Sequence, residues 1–386
     1  MTIGCHAPLP PARTGVADYA AALVRELGRH AEIRINPSRP CDAELYHLGN
    51  NQLHRGIYRR ALERLGVAVL HDAVLQHFFL GALDEEEYVE EFVYNYGEWY
   101  RGLARELWRN RSRSAPDPRY FRYPMLRRIA ERSLAVVVHN PAAARMAAAH
   151  APRARIVEIP HLNLPLPPAD PVAVTRLRER LGVAPHAALF GVFGYLRPSK
   201  RVHAILRAFA AVRHRAPECV LLVAGRFESE EFERSLAPWL ETPGVRRAGF
   251  LGAEAWAVHA AAVDVCLNLR YPAAGETSGI AIRMMGLGKA VILTAGEENA
   301  RFPEAACIRV DAGPAEEAML AQFMLWLARD AAARERIGRL AAAHIAREHD
   351  PGRCAERYLE VLREAAAQGR RVSVNPPERR PRAPSR

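Results

Sequence analysis

Short apolar runs alternate with amphipathic segments along the first half of the chain, and each run has the length of one buried strand. Between the runs, apolar residues recur at helical spacing, beginning after Thr14-Gly15, where a threonine can cap the helix. Strands that alternate with helices are typical of a parallel α/β sheet. The strands are predicted at Thr2–Cys5, Glu44–Leu48, Val67–Leu70, Ser133–His139 and Ile156–Pro160.

The second half repeats this alternation more regularly. A strand at Ala188–Phe193, a helix at Arg201–Arg215 and a strand at Val220–Ala224 predict a βαβ unit, which is right-handed by default. The remaining strands are predicted at Val245–Phe250, Val265–Leu269 and Ala290–Leu293. The remaining helices are predicted at Glu254–Ala262, from Ile280, and at Ala315–Arg329, Ala331–Glu348 and Pro351–Ala367.

A proline-rich segment separates the two halves. Residues His161–Pro171 carry four prolines, too many for a helix or a central strand. At 386 residues the chain is long enough for two α/β domains, each with its own core. The predicted division is an N-terminal domain at 1–160, a linker and first helix at 161–186, a C-terminal domain at 187–349, a C-terminal helix at 350–368 and a tail at 369–386.

The formal net charge is +11, and a short C-terminal segment carries nearly half of it. Residues Arg370–Arg386 hold six arginines against one glutamate and are rich in proline, so this tail is predicted to be disordered. Without the +5 of this tail, the rest of the chain keeps a net charge of +6. Such a charge could attract phosphate-bearing substrates, an anionic membrane or nucleic acid, but arginines that are simply solvated at the surface explain it equally well. Because no aromatic-and-basic platform is visible, no nucleic-acid partner is expected.

The cysteines and the N-terminus narrow the class of protein. Six scattered cysteines without a CxxC pair argue against a zinc site or a disulfide framework and favour a reduced cytoplasmic protein. The start MTIGCHAPLPP has neither a basic flank nor an apolar segment, so no secretory signal is predicted. No apolar run approaches the length of a membrane span.

The segment Gly275-Glu276-Thr277-Ser278-Gly279 brings a carboxylate, two hydroxyls and two glycines to the turn between a strand and a helix. Free backbone N–H groups and the helix dipole converge at such a helix N-terminus, and phosphate is the ligand they suit. In an open parallel sheet, ligands also bind at this edge. These residues are therefore candidates for phosphate binding.

A second candidate loop, Gly194–Arg201, brings Arg197, Lys200 and Arg201 to a strand end beside a helix N-terminus. Cations at the positive end of a helix dipole destabilise the fold unless an anion offsets them. A diphosphate would do so, because arginine donates forked hydrogen bonds and lysine supplies a point charge. The alternative is that all three side chains are solvated.

Polar residues also follow the strands of the first half. Asn50-Asn51 and His71-Asp72 come after successive predicted strands, and polar side chains at such strand ends line one crevice. His71 is a candidate catalytic residue because it lies at a strand end and Asp72 follows it. For Thr14-Gly15, a ligand-binding turn and an ordinary helix cap are equally compatible with the sequence.

The order of these features resembles glycosyltransferase family 4. Gly194–Arg201 is similar to the family's Gly-Arg-Leu-x-x-x-Lys-Gly loop, with Tyr195 at the arginine position, so that Arg197 or Arg201 takes its place. Arg270–Gly279 is similar to the Arg-Tyr-Pro-x-x-Gly-Glu-Thr-Ser-Gly motif of a variant subgroup. Arg283 stands where the family has the second glutamate of its Glu-x7-Glu signature.

The resemblance implies the GT-B fold, in which two Rossmann-like domains face each other across a cleft. It implies retaining transfer of a sugar from a nucleoside-diphosphate donor to a hydroxyl acceptor, which is a glycan, a lipid-linked sugar or a small molecule. Lys200 would bind phosphate with Arg197 or Arg201, Glu276 would face the donor sugar, and His71 corresponds to the family's active-site histidine. The residues implied on the acceptor side are Thr14, Gly15, Asp18, Asn50, Asn51 and Asp72.

Such folds usually need no metal, and the absence of a DxD triplet agrees with this. Two alternatives stay open: a nucleotide-sugar epimerase or hydrolase on the same architecture, and a non-catalytic carbohydrate-binding homologue, which Tyr195 and Arg283 suggest. The expected location is the cytoplasm, with peripheral contact to the inner face of the membrane as a further option.

Overall fold

The computed structural model describes residues 1–12, 14–115 and 117–374, with side chains described up to 368. Its described residues form two six-stranded sheets, and every pair of neighbouring strands within them is parallel. The predicted α/β class is therefore confirmed. The part of the predicted basic tail at 375–386 lies outside the described residues.

The N-terminal half holds the first sheet and seven of the described α-helices. Its strands are β1 (Thr2–His6), β2 (Glu32–Ile35), β3 (Ala43–Leu48), β4 (Val67–Leu70), β5 (Ala135–Val138) and β6 (Ile156–Glu158). Its helices are α1 (Gly15–Leu27), α2 (Arg55–Glu63), α3 (Gln76–Ala82), α4 (Glu85–Tyr96), α5 (Arg101–Arg109), α6 (Arg127–Arg132) and α7 (Pro141–His150).

The strand order of the first sheet is β2-β1-β3-β4-β5-β6. The strand order reverses between β1 and β3, since the chain first adds β2 on one side of β1 and then β3 on the other. The loops that follow β1 and β3 therefore flank one crevice. Strands β3, β4 and β5 are buried on both faces, as expected for a parallel sheet covered by helices. The predicted loops after Cys5 and after Leu48 therefore lie beside each other.

The C-terminal half holds the second sheet and the remaining described α-helices. Its strands are β7 (Leu189–Phe193), β8 (Val220–Ala224), β9 (Val245–Ala248), β10 (Val265–Asn268), β11 (Ala290–Thr294) and β12 (Ile308–Val310). Its helices are α8 (Pro171–Leu181), α9 (Val202–Arg215), α10 (Glu230–Leu240), α11 (Ala253–Ala262), α12 (Gly279–Gly286), α13 (Glu316–Arg329), α14 (Ala331–Glu348) and α15 (Pro351–Val374).

The strand order of the second sheet is β12-β11-β10-β7-β8-β9, which places its reversal between β7 and β10. The loop after β7 carries the predicted cations, and the loop after β10 carries the Gly-Glu-Thr-Ser-Gly segment. The topology therefore brings both predicted phosphate-binding loops to one crevice, because ligands in open α/β sheets bind where the strand order reverses.

The last helix returns to the N-terminal half. Tyr358 of α15 is fully buried, and its hydroxyl lies 2.9 Å from that of Tyr19 on α1. Leu362 belongs to the same apolar core as Ile3 and Leu23. The helix extends to Val374, beyond the predicted boundary at 368. The C-terminal helix thus completes the core of the opposite half of the chain.

Two edge strands were not predicted, β2 and β12. Both are short, and an arginine separates the apolar residues of each, so neither produces an apolar run. Residues of β2 are mostly exposed, as is usual for a sheet edge. Within the described residues, no helix combines the length and the apolar character that a membrane crossing requires.

Candidate active site

The loop after β7 packs closely against the start of α12. Gly194, which follows β7, has a φ of +98°, and a Cβ there would come within 2.6 Å of Ile280 Cδ1 and 3.0 Å of Lys200 Nζ. The loop after β7 can therefore lie against the first turn of α12 only with glycine at this position. The Tyr271 N–H donates to the carbonyl of Ser199 at 2.7 Å, which joins the two loops.

Lys200 ends a 3-10 helix at Pro198–Lys200 and is only 8% exposed. Its ammonium group donates to the carbonyl of Phe193 at 3.3 Å. Burial, together with the nearby guanidinium groups of Arg270 and Arg197, lowers the pKa of Lys200 to about 7. A buried ammonium with such a pKa is stabilised by an anionic ligand.

Two guanidinium groups share the carboxylate of Glu276. Arg197 Nη2 donates to Glu276 Oε1 at 2.8 Å, and Arg270 Nη1 forms an ion pair with the same oxygen. Burial by itself would raise the pKa of Glu276, but Arg270 and Arg197 outweigh it and lower the pKa to about 2. Glu276 is therefore ionised throughout the physiological pH range.

The N-terminus of α12 contributes to the same site. Ser278 caps the helix, since its Oγ accepts the N–H of Ala281 at 3.2 Å. Arg270 Nη2 also donates to this Oγ, at 3.0 Å, so that cap and cations form one hydrogen-bonded group. Gly279 begins the helix, and the positive end of the helix dipole adds to the charges of Arg197, Arg270 and Lys200.

The N-terminal half closes directly over this loop. The Ala73 N–H donates to the carbonyl of Ala274 at 2.8 Å, and Asn140 Nδ2 donates both to the carbonyl of Gly275 and to Thr277 Oγ1, each at 2.9 Å. Gly275 has a φ of +64°, and a Cβ there would lie 2.6 Å from the Cβ of Ala73. The two halves therefore touch at the predicted donor loop.

Asp72 supplies a second carboxylate from the N-terminal side. Its Oδ2 accepts the N–H of Asn50 at 2.8 Å. Burial and the neighbouring Glu276 raise the pKa of Asp72 to about 6, although the N–H of Asn50 and the guanidinium groups of Arg197 and Arg270 oppose this. The group thus combines three basic side chains with two acidic ones, an excess of positive charge that suits an anionic ligand.

His71 lies in a group of buried rings at the ends of the N-terminal strands. Its Nε2 is 3.0 Å from His47 Nδ1, and its ring packs 4.8 Å from Tyr19 and 5.2 Å from His139, centroid to centroid. Burial, and then the neighbouring histidines, lower the pKa of His71 well below its usual value. The imidazole is therefore neutral at physiological pH.

Of the two candidate arginines in the loop after β7, Arg197 reaches the site. Arg201 instead forms an ion pair with the buried carboxylate of Glu316, at the start of α13. Its backbone is in the left-handed region, with a φ of +56°, which turns the chain into α9. The structure therefore assigns Arg201 to packing of the C-terminal half rather than to the cation group.

The remaining acceptor-side candidates take different places. Thr14 Oγ1 accepts the N–H of Ala17 at 3.1 Å, an ordinary helix cap, and Asn51 Oδ1 caps a 3-10 helix by accepting the N–H of Leu53 at 3.0 Å. Asp18 Oδ2 faces Arg283 Nη2 across the cleft at 3.8 Å. A Cβ at Gly15 would meet no atom within 4 Å, which leaves open space beside α1.

Two residues to which the sequence analysis gave no role join the site, Arg270, the first residue of the segment that resembles the subgroup motif, and Asn140. Arg270 could have been found, because a cation directly after a buried strand repeats the pattern of the loop after β7. Asn140 Oδ1 caps α7 by accepting the N–H of Ala143 at 2.9 Å, which a sequence pattern can indicate. No pattern near Asn140 in the sequence indicates that its Nδ2 donates to Gly275 in the opposite half. Among the described residues, no group of three or more His, Cys, Asp or Glu could hold a metal ion.

No family model and no curated protein matches this chain. Among solved structures, HepE of Anabaena in complex with UDP-glucose is similar over 94% of this chain and 100% of its own, with 15% identity and a TM-score of 0.67. Sucrose-phosphate synthase from Thermosynechococcus elongatus is similar over 95% and 100%, with 14% identity and a TM-score of 0.66. WaaG, a glycosyltransferase involved in lipopolysaccharide biosynthesis, covers 94% and 99% at 14% identity, with a TM-score of 0.59. The chain has the GT-B fold.

The shared carboxylate leads to a prediction about stability. Replacing Glu276 by Gln leaves Arg197, Arg270 and Lys200 opposed only by Asp72. We expect the free energy of unfolding to fall by about 1–3 kcal/mol at low salt, because charge-assisted hydrogen bonds in a partly buried site are lost. Sulfate should recover more of this loss than chloride at equal ionic strength, because a divalent anion binds the uncompensated cations of the folded state more tightly. Chemical denaturation in both salts measures the effect.

The matched control is Glu297→Gln, which removes a more exposed carboxylate paired with Arg145 at the surface. This change should lower the free energy of unfolding by at most about 1 kcal/mol, and sulfate should recover no more of that loss than chloride does. If the Glu276→Gln variant is as stable as the original protein, and sulfate stabilises it no more than it stabilises the original, the cations do not depend on that carboxylate.

Proposed function

We propose that this protein is a retaining glycosyltransferase that moves a sugar from a nucleoside-diphosphate donor to a hydroxyl acceptor, which is a glycan, a lipid-linked sugar or a small molecule. The observation that carries the proposal is the convergence of Lys200, Arg197 and Arg270 on the N-terminus of α12, at the strand reversal of the second sheet. Asp72 and Ala73 of the opposite half lie against this group. Such a site suits a nucleoside-diphosphate sugar whose sugar–phosphate bond lies between the two halves of the chain.

The cations would act on the leaving group. In the transfer, the bond between the anomeric carbon and the phosphate oxygen breaks, and a bond from the acceptor oxygen to that carbon forms on the same face. The departing phosphate oxygen takes the proton of the acceptor hydroxyl. Lys200, Arg197 and the N–H groups at Ser278-Gly279 would stabilise the negative charge that grows on the diphosphate, which lowers the barrier because this charge is largest in the transition state.

The closed halves would protect the reaction from water. The hydrogen bonds from Ala73 to Ala274 and from Asn140 to Gly275 hold the donor loop against the N-terminal domain. Excluding water strengthens the electrostatic interactions within the site and limits hydrolysis of the donor. These contacts would have to open for the donor to enter and for the product to leave.

The space for the nucleoside would lie at the ends of β8 and β9. A cavity of about 510 Å³ there is lined by Gly225, Arg226, Phe227 and Gly249, among others. It adjoins the loop after β7, because the Leu196 N–H donates to the carbonyl of Arg226 at 2.8 Å. Since HepE is described in complex with UDP and with UDP-glucose, UDP-sugars are the first donors to test.

The predicted independence from metal and the predicted peripheral contact with a membrane remain predictions. The two alternative functions would give different results in one assay. An epimerase or hydrolase would consume the nucleotide sugar without an acceptor, whereas a non-catalytic homologue would bind it and leave it unchanged. If transfer needs no metal ion, adding EDTA to the same assay should leave the rate of sugar transfer unchanged.

Replacing Lys200 by Ala tests the function directly. We expect sugar transfer to fall by about two to three orders of magnitude, because a buried cation aimed at the leaving group is lost. The control Arg207→Ala removes an exposed cation of α9 that pairs with Glu317, and it should leave the rate unchanged. Thermal unfolding establishes that both variants fold. Transfer by Lys200→Ala within a few-fold of the original rate would refute the proposed role.

The lowered pKa of Lys200 predicts a pH dependence of donor binding. Above about pH 7 the free protein loses the Lys200 proton, and binding of the diphosphate must restore it, so the dissociation constant should rise by up to about tenfold per pH unit. Calorimetry with a nucleotide sugar between pH 6.5 and 8.5 measures this, since its diphosphate does not titrate there. Lys200→Arg should bind with little pH dependence, because guanidinium stays charged. An equally steep dependence in Lys200→Arg would assign the proton to another group.

A further inference from the structure

His47 is a buried histidine to which the proposed function gives no role. It lies on β3, it is fully buried, and its Nδ1 is 3.0 Å from Nε2 of His71. The backbone of His71 is held against the same strand, because its N–H donates to the carbonyl of Leu48 at 2.9 Å. His54 holds the backbone of His47, since its Nδ1 lies 2.9 Å from the carbonyl oxygen of that residue. The sheet therefore fixes the contact between the two imidazole rings.

One hydrogen bond joins these two imidazoles, and it can run in either direction. Both rings are neutral at physiological pH, because burial lowers the pKa of His47 to about 3 and that of His71 well below its usual value. A neutral imidazole has one N–H and one lone pair. If His47 donates, His71 carries its proton on Nδ1. If His71 donates, His47 carries its proton on Nε2.

The surroundings of His47 select the direction of this bond. Its Nε2 is buried and has no hydrogen-bond partner among the described residues. A bond donated by His71 would leave an N–H on this atom without an acceptor, whereas the opposite direction leaves only a lone pair there. Buried N–H groups without an acceptor are rarer in proteins than acceptors without a donor.

Two other buried histidines show which arrangement this half of the chain tolerates. The Nδ1 of His54 and that of His139 each lie 2.9 Å from a carbonyl oxygen, which can only accept, so both carry their proton on Nδ1. Their Nε2 atoms are left as buried lone pairs with no partner in the described part of the chain. His47 follows the same pattern if it donates from Nδ1 to His71.

This direction decides what His71 can offer to a ligand. Its Nε2 lone pair accepts from His47, and its Nδ1 carries the proton. That Nδ1 has no hydrogen-bond partner among the described residues, and His71 keeps 9% of its surface exposed where β4 ends. The ring is thus able to donate to an oxygen atom. A general base needs a free lone pair, which this ring does not have.

We propose that His47 is a positioning residue, which fixes His71 as a hydrogen-bond donor and prevents it from acting as a base. The inference rests on the proposed function, in which the departing phosphate oxygen takes the proton of the acceptor hydroxyl. His71 then donates to a hydroxyl or phosphate oxygen of the bound nucleotide sugar and removes no proton from the acceptor.

Long-range ¹H–¹⁵N NMR of the full chain, labelled with ¹⁵N in histidine, tests the tautomers without any ligand. Spectra near neutral pH distinguish a proton on Nδ1 from one on Nε2. The signals that disappear in His71→Gln and in His47→Asn identify the two rings. We expect both rings to carry their proton on Nδ1. A proton on Nε2 of His71 would overturn the proposal.

Two substitutions of similar shape separate the hydrogen bond from packing. His47→Asn keeps an N–H on an atom bonded to Cγ, as in the imidazole, whereas His47→Leu has none. Both lose the ring, so a residue needed only for packing would respond equally to the two changes. We expect kcat for transfer to fall about tenfold in His47→Leu and to stay within about threefold of the original in His47→Asn.

Thermal unfolding establishes that both variants fold. Equal rates in the two folded variants would refute the positioning role, and if His47→Leu does not fold, the tautomers of the original protein decide. Protons on Nδ1 of both rings, in a protein that transfers no sugar from any nucleotide sugar, would count against the transferase and not against the role of His47.

Discussion

The site depends on an ion pair that one carboxylate makes with two guanidinium groups. Glu276 lies between Arg197 and Arg270, and without it three cations would face one another in a crevice largely shielded from water. The carboxylate holds these cations in place before any ligand binds. A diphosphate would meet a positive group that is already oriented, which is the arrangement that stabilises developing charge most effectively.

This arrangement follows from the topology of the second sheet. The reversal of strand order between β7 and β10 makes their following loops neighbours, although Arg197 and Glu276 are far apart in sequence. Gly194 and Gly275 then allow the close approaches, one within the C-terminal half and the other against the N-terminal half. The same fold feature therefore positions the cations of the proposed donor site and the contact between the two halves of the chain.

The sequence predicts the parts of this site that depend on local patterns. Apolar runs locate the central strands, and cations or small polar residues after them locate the two loops. It does not distinguish Arg197 from Arg201, because the direction of Arg201 is set by a left-handed turn and by Glu316 on a distant helix. Nor does it predict that His47 contacts His71, or that Asn140 contacts Thr277, since both pairs form only when separate strand ends meet in space.

The most direct test of the central claim is a crystal structure of the protein with an intact nucleotide sugar, UDP-glucose being the first choice. The account predicts diphosphate oxygens within about 3 Å of Lys200 Nζ and of the backbone N–H groups that begin α12 at Gly279, with the sugar directed toward Glu276 and the N-terminal half. A diphosphate bound elsewhere, with Lys200 and Ser278 contacting none of its oxygens, would contradict the account.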